Sequence, residues 1–189
     1  MGFLDSLLGR SKPKGPAPDR LFALATAHIT LETNGLRTGG SAAIVFQALA
    51  TADFQGIVTE MEEIVRGTGE ETGTTLEVTE DTYGYRWMVL RDPDVEDLVV
   101  SINAVSDALA VGGYGERVLC AVFSFADDRK RPVYLIYNYK RGSWYPFVPG
   151  EGQQERNAER ELQVKAVIGT ELPVEPELER WFPLWGIPI

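Results

Sequence analysis

Residues 134–149 read YLIYNYKRGSWYPFVP, and the fold turns on whether this aromatic run is a surface or a core element. Aromatic rings beside Lys140 and Arg141 can stack bases of single-stranded nucleic acid. The alternation argues otherwise. Val133, Leu135, Tyr137 and Tyr139 fall on one face of an extended chain, and Tyr134, Ile136, Asn138 and Lys140 on the other. Period-2 spacing of aromatic and β-branched residues marks a packed strand. Arg141-Gly142 predicts a break, after which Trp144, Tyr145, Phe147 and two prolines leave the sheet as an aromatic latch over the domain or a groove for a partner.

Charge supports the core reading. The 189-residue chain has 28 acidic against 18 basic residues, a formal −10. Phosphate-backbone binding draws its affinity from counterion release by Lys and Arg, so nucleic acid is disfavoured. A hydrophobic content of 44% supplies enough apolar material for a core. No run approaches the ~20 apolar residues of a membrane span, and the start lacks a secretory pattern, so a cytoplasmic location is expected.

Working outward, the predicted elements alternate. Residues 19–28 read as a short helix, 29–33 (ITLET) as extended, and 41–49 as a strand after a turn at Asn34-Gly35. Phe54, Ile57, Val58, Met61, Ile64 and Val65 keep helical spacing, with Thr51 as cap and Gly67 as stop. Strands follow at 74–80 and 83–91. Asp92 and Pro93 then open a helix whose stripe runs from Val95 to Leu109 before Gly112-Gly113. Residues 117–126 are apolar on both faces and so predict a central strand, and a last helix spans 153–168. The class is α+β: an antiparallel sheet of five to six strands with helices mainly on one face, threaded as a ferredoxin-like split βαβ or in a secretion-chaperone-like order.

The organisation expected is an N-terminal segment and basic linker at 1–18, then one α+β domain at 19–189 with a Pro/Trp-rich tail. Phe3, Leu4, Leu7 and Leu8 share a helical face, followed by Lys12 and Lys14 in a Pro/Gly-rich linker. Residues 1–20 hold four cations against two carboxylates in an otherwise acidic chain. Two readings stay open: an amphipathic foot for an anionic membrane or a partner helix, or an apolar plug on the body. The start also fits the loose acylation pattern at Gly2 and Ser6.

The chemical inventory is thin. Cys120 is the one cysteine, set in an apolar run, and His28 the one histidine, which excludes disulfide frameworks and histidine-cluster metal sites. The paired carboxylates (Glu62-Glu63, Glu70-Glu71, Glu80-Asp81, Asp127-Asp128) fall on helix exteriors and turn tips rather than in a converging pair. GTGEETG at 67–73 lacks the lysine and following helix of a phosphate loop. No enzyme activity and no cofactor are expected.

MGFLDSLLGR with its Pro-rich linker, YGYRWMVLRD, YKRGSWYPFVP, the block ELQVKAVIGTELPVEPELERWFP and the terminal LWGIP together resemble the phage-shock-protein-A-associated protein B family, PspAB, of actinobacteria and archaea. The resemblance spans the chain, rests most on YKRGxxYPF and LPVEPxLxRWFPxWG, and transfers no catalytic residue. It implies a small non-enzymatic protein of the envelope-stress system. The associates it implies are a PspA-like coiled-coil membrane-remodelling protein and an HtpX-like membrane zinc protease. On this reading the chain is an adaptor at the cytoplasmic membrane face, with Phe3, Leu4, Leu7, Leu8, Lys12, Lys14, Trp144, Tyr145, Phe147, Trp181 and Trp185 as candidate contacts. The alternative is a chaperone-like peptide-binding module using a sheet edge or groove, for which a homodimer would speak.

Overall fold

The structure, a computed structural model, describes residues 19–189. Its elements run α1 (Asp19–Thr33), β1 (Arg37–Gln47), α2 (Ala52–Thr72), β2 (Thr75–Glu80), β3 (Tyr85–Arg91), α3 (Val95–Val111), β4 (Val118–Ala126), β5 (Pro132–Asn138), β6 (Ser143–Phe147) and α4 (Ala158–Ile168). The strands form one sheet in the order β2-β3-β1-β4-β5-β6. Every neighbouring pair is antiparallel. The first four strands have the split βαβ order, and the hairpin β5–β6 extends it past β4.

Period-2 alternation divides the strands between two cores. Ala42, Ile44 and Phe46 of β1, Phe123 and Phe125 of β4, and Val133, Leu135 and Tyr137 of β5 face the helices. Ala43, Val45, Val89, Cys120, Val122 and Ile136 face the opposite side. Both sets are buried, which is why β1 and β4 read as continuous apolar runs. The helix-side core takes Leu21, Leu24, Ala27 and Leu31 from α1 and the stripe Val95, Leu98, Val99, Ile102, Val105 and Leu109 from α3.

Four local expectations change. ITLET is helical, because Leu31 completes the buried stripe of Leu24 and Ala27, and that burial outweighs the strand preference of Ile29 and Thr30. α1 stops at Gly35, whose φ of +79 suits a residue without Cβ, with Leu36 N–H donating to the Leu31 carbonyl at 2.9 Å and Gly35 N–H to Glu32 at 3.0 Å. α2 runs through Gly67 to Thr72, since a mid-helix glycine costs only about 1 kcal/mol. α3 is capped by Asp94, which accepts from Glu96 N–H at 2.7 Å. Asp92 is instead buried, accepting from the Thr74 hydroxyl at 2.6 Å and from Asp94 N–H at 2.8 Å. Its carboxylate is thereby spent on Thr74 and Asp94, and the first-turn N–H of α3 falls to Asp94. α4 starts at Ala158, capped by Asn157, rather than at 153.

The largest change concerns the opening stretch. Trp144, Tyr145, Pro146 and Phe147 do not leave the sheet; they form β6, paired with β5 from Tyr134↔Phe147 to Asn138↔Ser143. Gly142, at φ +64, makes the tight reversal after Arg141. Trp144 N–H donates outward to Pro173 at 2.9 Å, and its carbonyl accepts from Glu175 N–H at 2.8 Å. Two residues on, Pro146 turns its missing donor outward as well, so no bond to β5 is lost.

Candidate interaction surface

The sheet face opposite the helices is closed by the C-terminal strap. Val174, Trp181, Leu184, Trp185, Ile187 and Ile189 pack on Val45, Trp87, Val122, Ile136, Tyr145 and Phe147. After a 3-10 turn at Leu178–Arg180 the strap has no helix or strand, so its backbone polar groups need side-chain partners. They have them. The Tyr145 hydroxyl donates to the Phe182 carbonyl at 3.1 Å, Arg156 Nη1 to Trp181 at 2.8 Å, and the Tyr134 hydroxyl to Ile189 at 3.2 Å. Trp181 Nε1 donates to the Glu175 carbonyl at 3.0 Å, and Lys165 Nζ lies 5.6 Å above the same indole.

Two buried carboxylates set this scaffold. Glu161 on α4 takes Arg156 Nε at 2.9 Å and Nη2 at 2.6 Å, and accepts Val148 N–H at 3.0 Å. Glu175 accepts from the Ser143 hydroxyl at 3.0 Å, with Arg180 Nη1 at 3.7 Å. Each charge is buried but paired, the arrangement a low-dielectric site requires. Burial also holds the Tyr145 and Tyr134 phenols above their ordinary range, so they remain donors at neutral pH.

The sequence-derived contact residues divide into three groups. Tyr145, Phe147, Trp181 and Trp185 come together on the strap side, with Tyr145 stacked on Trp181 at 6.4 Å and Phe147 edge-on to Trp185 at 5.2 Å. Trp144 points the other way. It is fully buried among Phe123 and Tyr137, and its indole N–H donates to the Arg20 carbonyl at 2.8 Å. Phe3, Leu4, Leu7, Leu8, Lys12 and Lys14 lie outside the described residues.

Sequence reasoning missed Leu178 and Phe182, which are 48% and 58% exposed beside Trp181 at 3%. It also missed the Arg156–Glu161 clamp. Two large apolar residues flanking an anchored tryptophan on a proline-bounded tail were the available signal for the first. The second had none, since a five-residue separation follows no helical periodicity.

Reactive chemistry is sparse. Burial pushes the Cys120 thiol up to about 12, so it stays protonated and non-nucleophilic at neutral pH. His28 Nδ1 is engaged by the Ala25 carbonyl at 2.7 Å. Among the described residues no group of three or more His, Cys, Asp or Glu side chains is placed to hold a metal, and no helix is long and apolar enough to cross a membrane.

A family model described as PspA associated protein B matches residues 1–189. The chain belongs to that family. Membership makes it a phage-shock protein with a PspA-linked role, and the family is a PspA-associated one rather than a known enzyme family. No curated protein and no solved structure matches the chain.

Proposed function

We propose that the protein is a non-enzymatic adaptor of the PspA-linked envelope-stress response, working at the cytoplasmic face of the membrane. The observation that carries this reading is the PspA-associated family match over residues 1–189. The strap supports it in physical terms. Trp181 is anchored by three fixed contacts while Leu178 and Phe182 stand exposed on either side, so an apolar partner surface meets side chains already held in place. The partner proposed for this surface is a PspA-like coiled coil, with an HtpX-like membrane protease as a further associate. Phe3, Leu4, Leu7, Leu8, Lys12 and Lys14 form the proposed membrane foot.

Crosslinked pull-down from the native host tests the adaptor reading. Recovery of a PspA-like protein with the full chain, and its loss with Phe182→Ser, is the expected result. Recovery of neither a PspA-like protein nor a membrane protease sinks it. Flotation with anionic vesicles tests the foot: equal, negligible binding by the full chain and a chain lacking residues 1–15 removes the membrane contact.

A second reading, a chaperone-like peptide-binding module, draws on the edge of β2, which among the described residues has no strand on its outer side. Glu77 and Glu80, paired across to Arg91 at 3.8 Å and Arg86 at 4.0 Å, place charge along that edge. Charge of this kind discourages indiscriminate pairing, so the module would favour basic extended segments.

A further inference from the structure

The turn between β4 and β5 and the first turn of α4 bring arginines together at a surface recess. Asp127, which is buried, organises them. Its Oδ1 accepts the N–H groups of Arg129 at 2.9 Å and Arg131 at 3.0 Å. Its Oδ2 takes Arg131 Nε at 2.9 Å and Nη2 at 2.7 Å, and lies 3.6 Å from Arg160 Nη2. Two recesses of about 260 and 200 Å³ flank the pair, and Arg131 and Arg160 line both. Three arginines (Arg129, Arg131, Arg160) meet three carboxylates (Asp127, Asp128, Glu159) in the lining, a neutral balance in a chain of net −10.

Arg156 and Arg160, four residues apart, are used differently. Arg156 spends Nε, Nη1 and Nη2 on Glu161 and the Trp181 carbonyl, so all three of its nitrogens are engaged. The Arg160 guanidinium makes one hydrogen bond, Nη1 to Gln163 Oε1 at 3.0 Å, and the long ion pair to Asp127. Its Nε is shut away from solvent with no hydrogen-bond partner among the described residues. A charged donor left this way is poised to gain from an acceptor. Asp127 offers nothing further, because both its oxygens are already taken.

We propose that Arg131 and Arg160, with Arg129 at the rim, form a binding site for a phosphate oxyanion. Two guanidiniums gathered on one carboxylate leave further Nη N–H groups of Arg131 and Arg160 for the several oxygens of a phosphoryl group. Asp127 acts as the positioning carboxylate: Arg131 and a backbone turn keep it ionised, with its carboxyl held below the ordinary aspartate range against the opposing pull of burial. The phosphoryl group comes from a soluble phosphate compound or from a lipid headgroup, and the site does not depend on the membrane reading.

The test is a titration of the full chain with inorganic phosphate, at ionic strength matched with chloride, following arginine Nε–H resonances. Saturable shifts of Arg131 and Arg160, with Arg156 unmoved, are expected. Movement of all three alike, identical movement in chloride, or no movement overturns the site. Arg160→Gln should weaken phosphate binding about tenfold, the scale of one charge-assisted pair. Should that variant not fold, Arg129→Gln at the exposed rim keeps the fold and should weaken binding about threefold; unchanged affinity there, with Arg160 resonances also still, counts against the proposal. Sedimentation with phosphatidylglycerol vesicles then assigns the source. Binding that falls in Arg129→Gln points to a lipid headgroup, and binding that does not, with phosphate shifts intact, points to a soluble phosphate.

Discussion

The two faces of the sheet are covered by different means. On one side, four helices with internally satisfied backbones bury Leu24, Ile44, Phe123 and Leu135. On the other, an irregular strap covers Val45, Val122 and Ile136, held by bonds from tyrosine, arginine and tryptophan side chains to its neighbours. The helix side gains cooperativity, because each helix stands or falls with its packing. The strap can open piecewise, since each carbonyl is held by its own donor. The partner surface proposed above lies on the second side.

Trp144 belongs to the helix side and gives the sharpest test. Trp144→Ala empties a fully buried site and frees the Arg20 carbonyl, so urea unfolding should lose about 3–5 kcal/mol in one transition. A loss below ~1 kcal/mol would erase the contrast between the faces. Glu161→Ala strips the partner from part-buried Arg156 and loosens its hold on the Trp181 carbonyl, with an expected cost of about 2 kcal/mol. Amide exchange should then rise in the strap before it rises in α1 or α3. Simultaneous exchange everywhere would mean the two faces unfold as one.

The strap side also predicts a response to alkali. Burial pushes the Cys120 thiol from an ordinary 9.0 up to about 12, so the unfolded chain loses its thiol proton first. A raised folded value stabilises below the unfolded one and is lost as pH rises, which amounts to about 1 kcal/mol by pH 10. Tyr137, raised from 10.0 to about 12, adds to the loss above pH 10. Cys120→Ala should flatten the first part of that decline in thermal melts recorded from pH 8 to 11. An unchanged slope would place the titration elsewhere. The smallest effect on stability belongs to Phe182→Ser, within about 0.5 kcal/mol because the ring is exposed, although partner capture should fall.

Much of the helix side was legible in the residues themselves. The alternation of Val133, Leu135 and Tyr137 and the stripe from Val95 to Leu109 are periodic, and periodicity survives without knowledge of neighbours. The boundary of α1 was missed because Ile29 and Thr30 favour strands locally, whereas Leu31 needs a core that only the assembled sheet supplies. β6 was missed for a related reason. A proline looks like an exit until the outward direction of Trp144 N–H is known. The strap carries no period, so its aromatic content suggested contact while its placement, and the exposure of Phe182, depended on the tertiary fold.

The two edges of the sheet complete the comparison. Among the described residues, 173–175 occupy the outer side of β6 and no strand pairs with the outer side of β2. The described sheet thus has one unpaired end. Pairing through β2 would therefore close on itself at two copies and could never grow into a filament, so the edge limits stoichiometry as well as offering a contact.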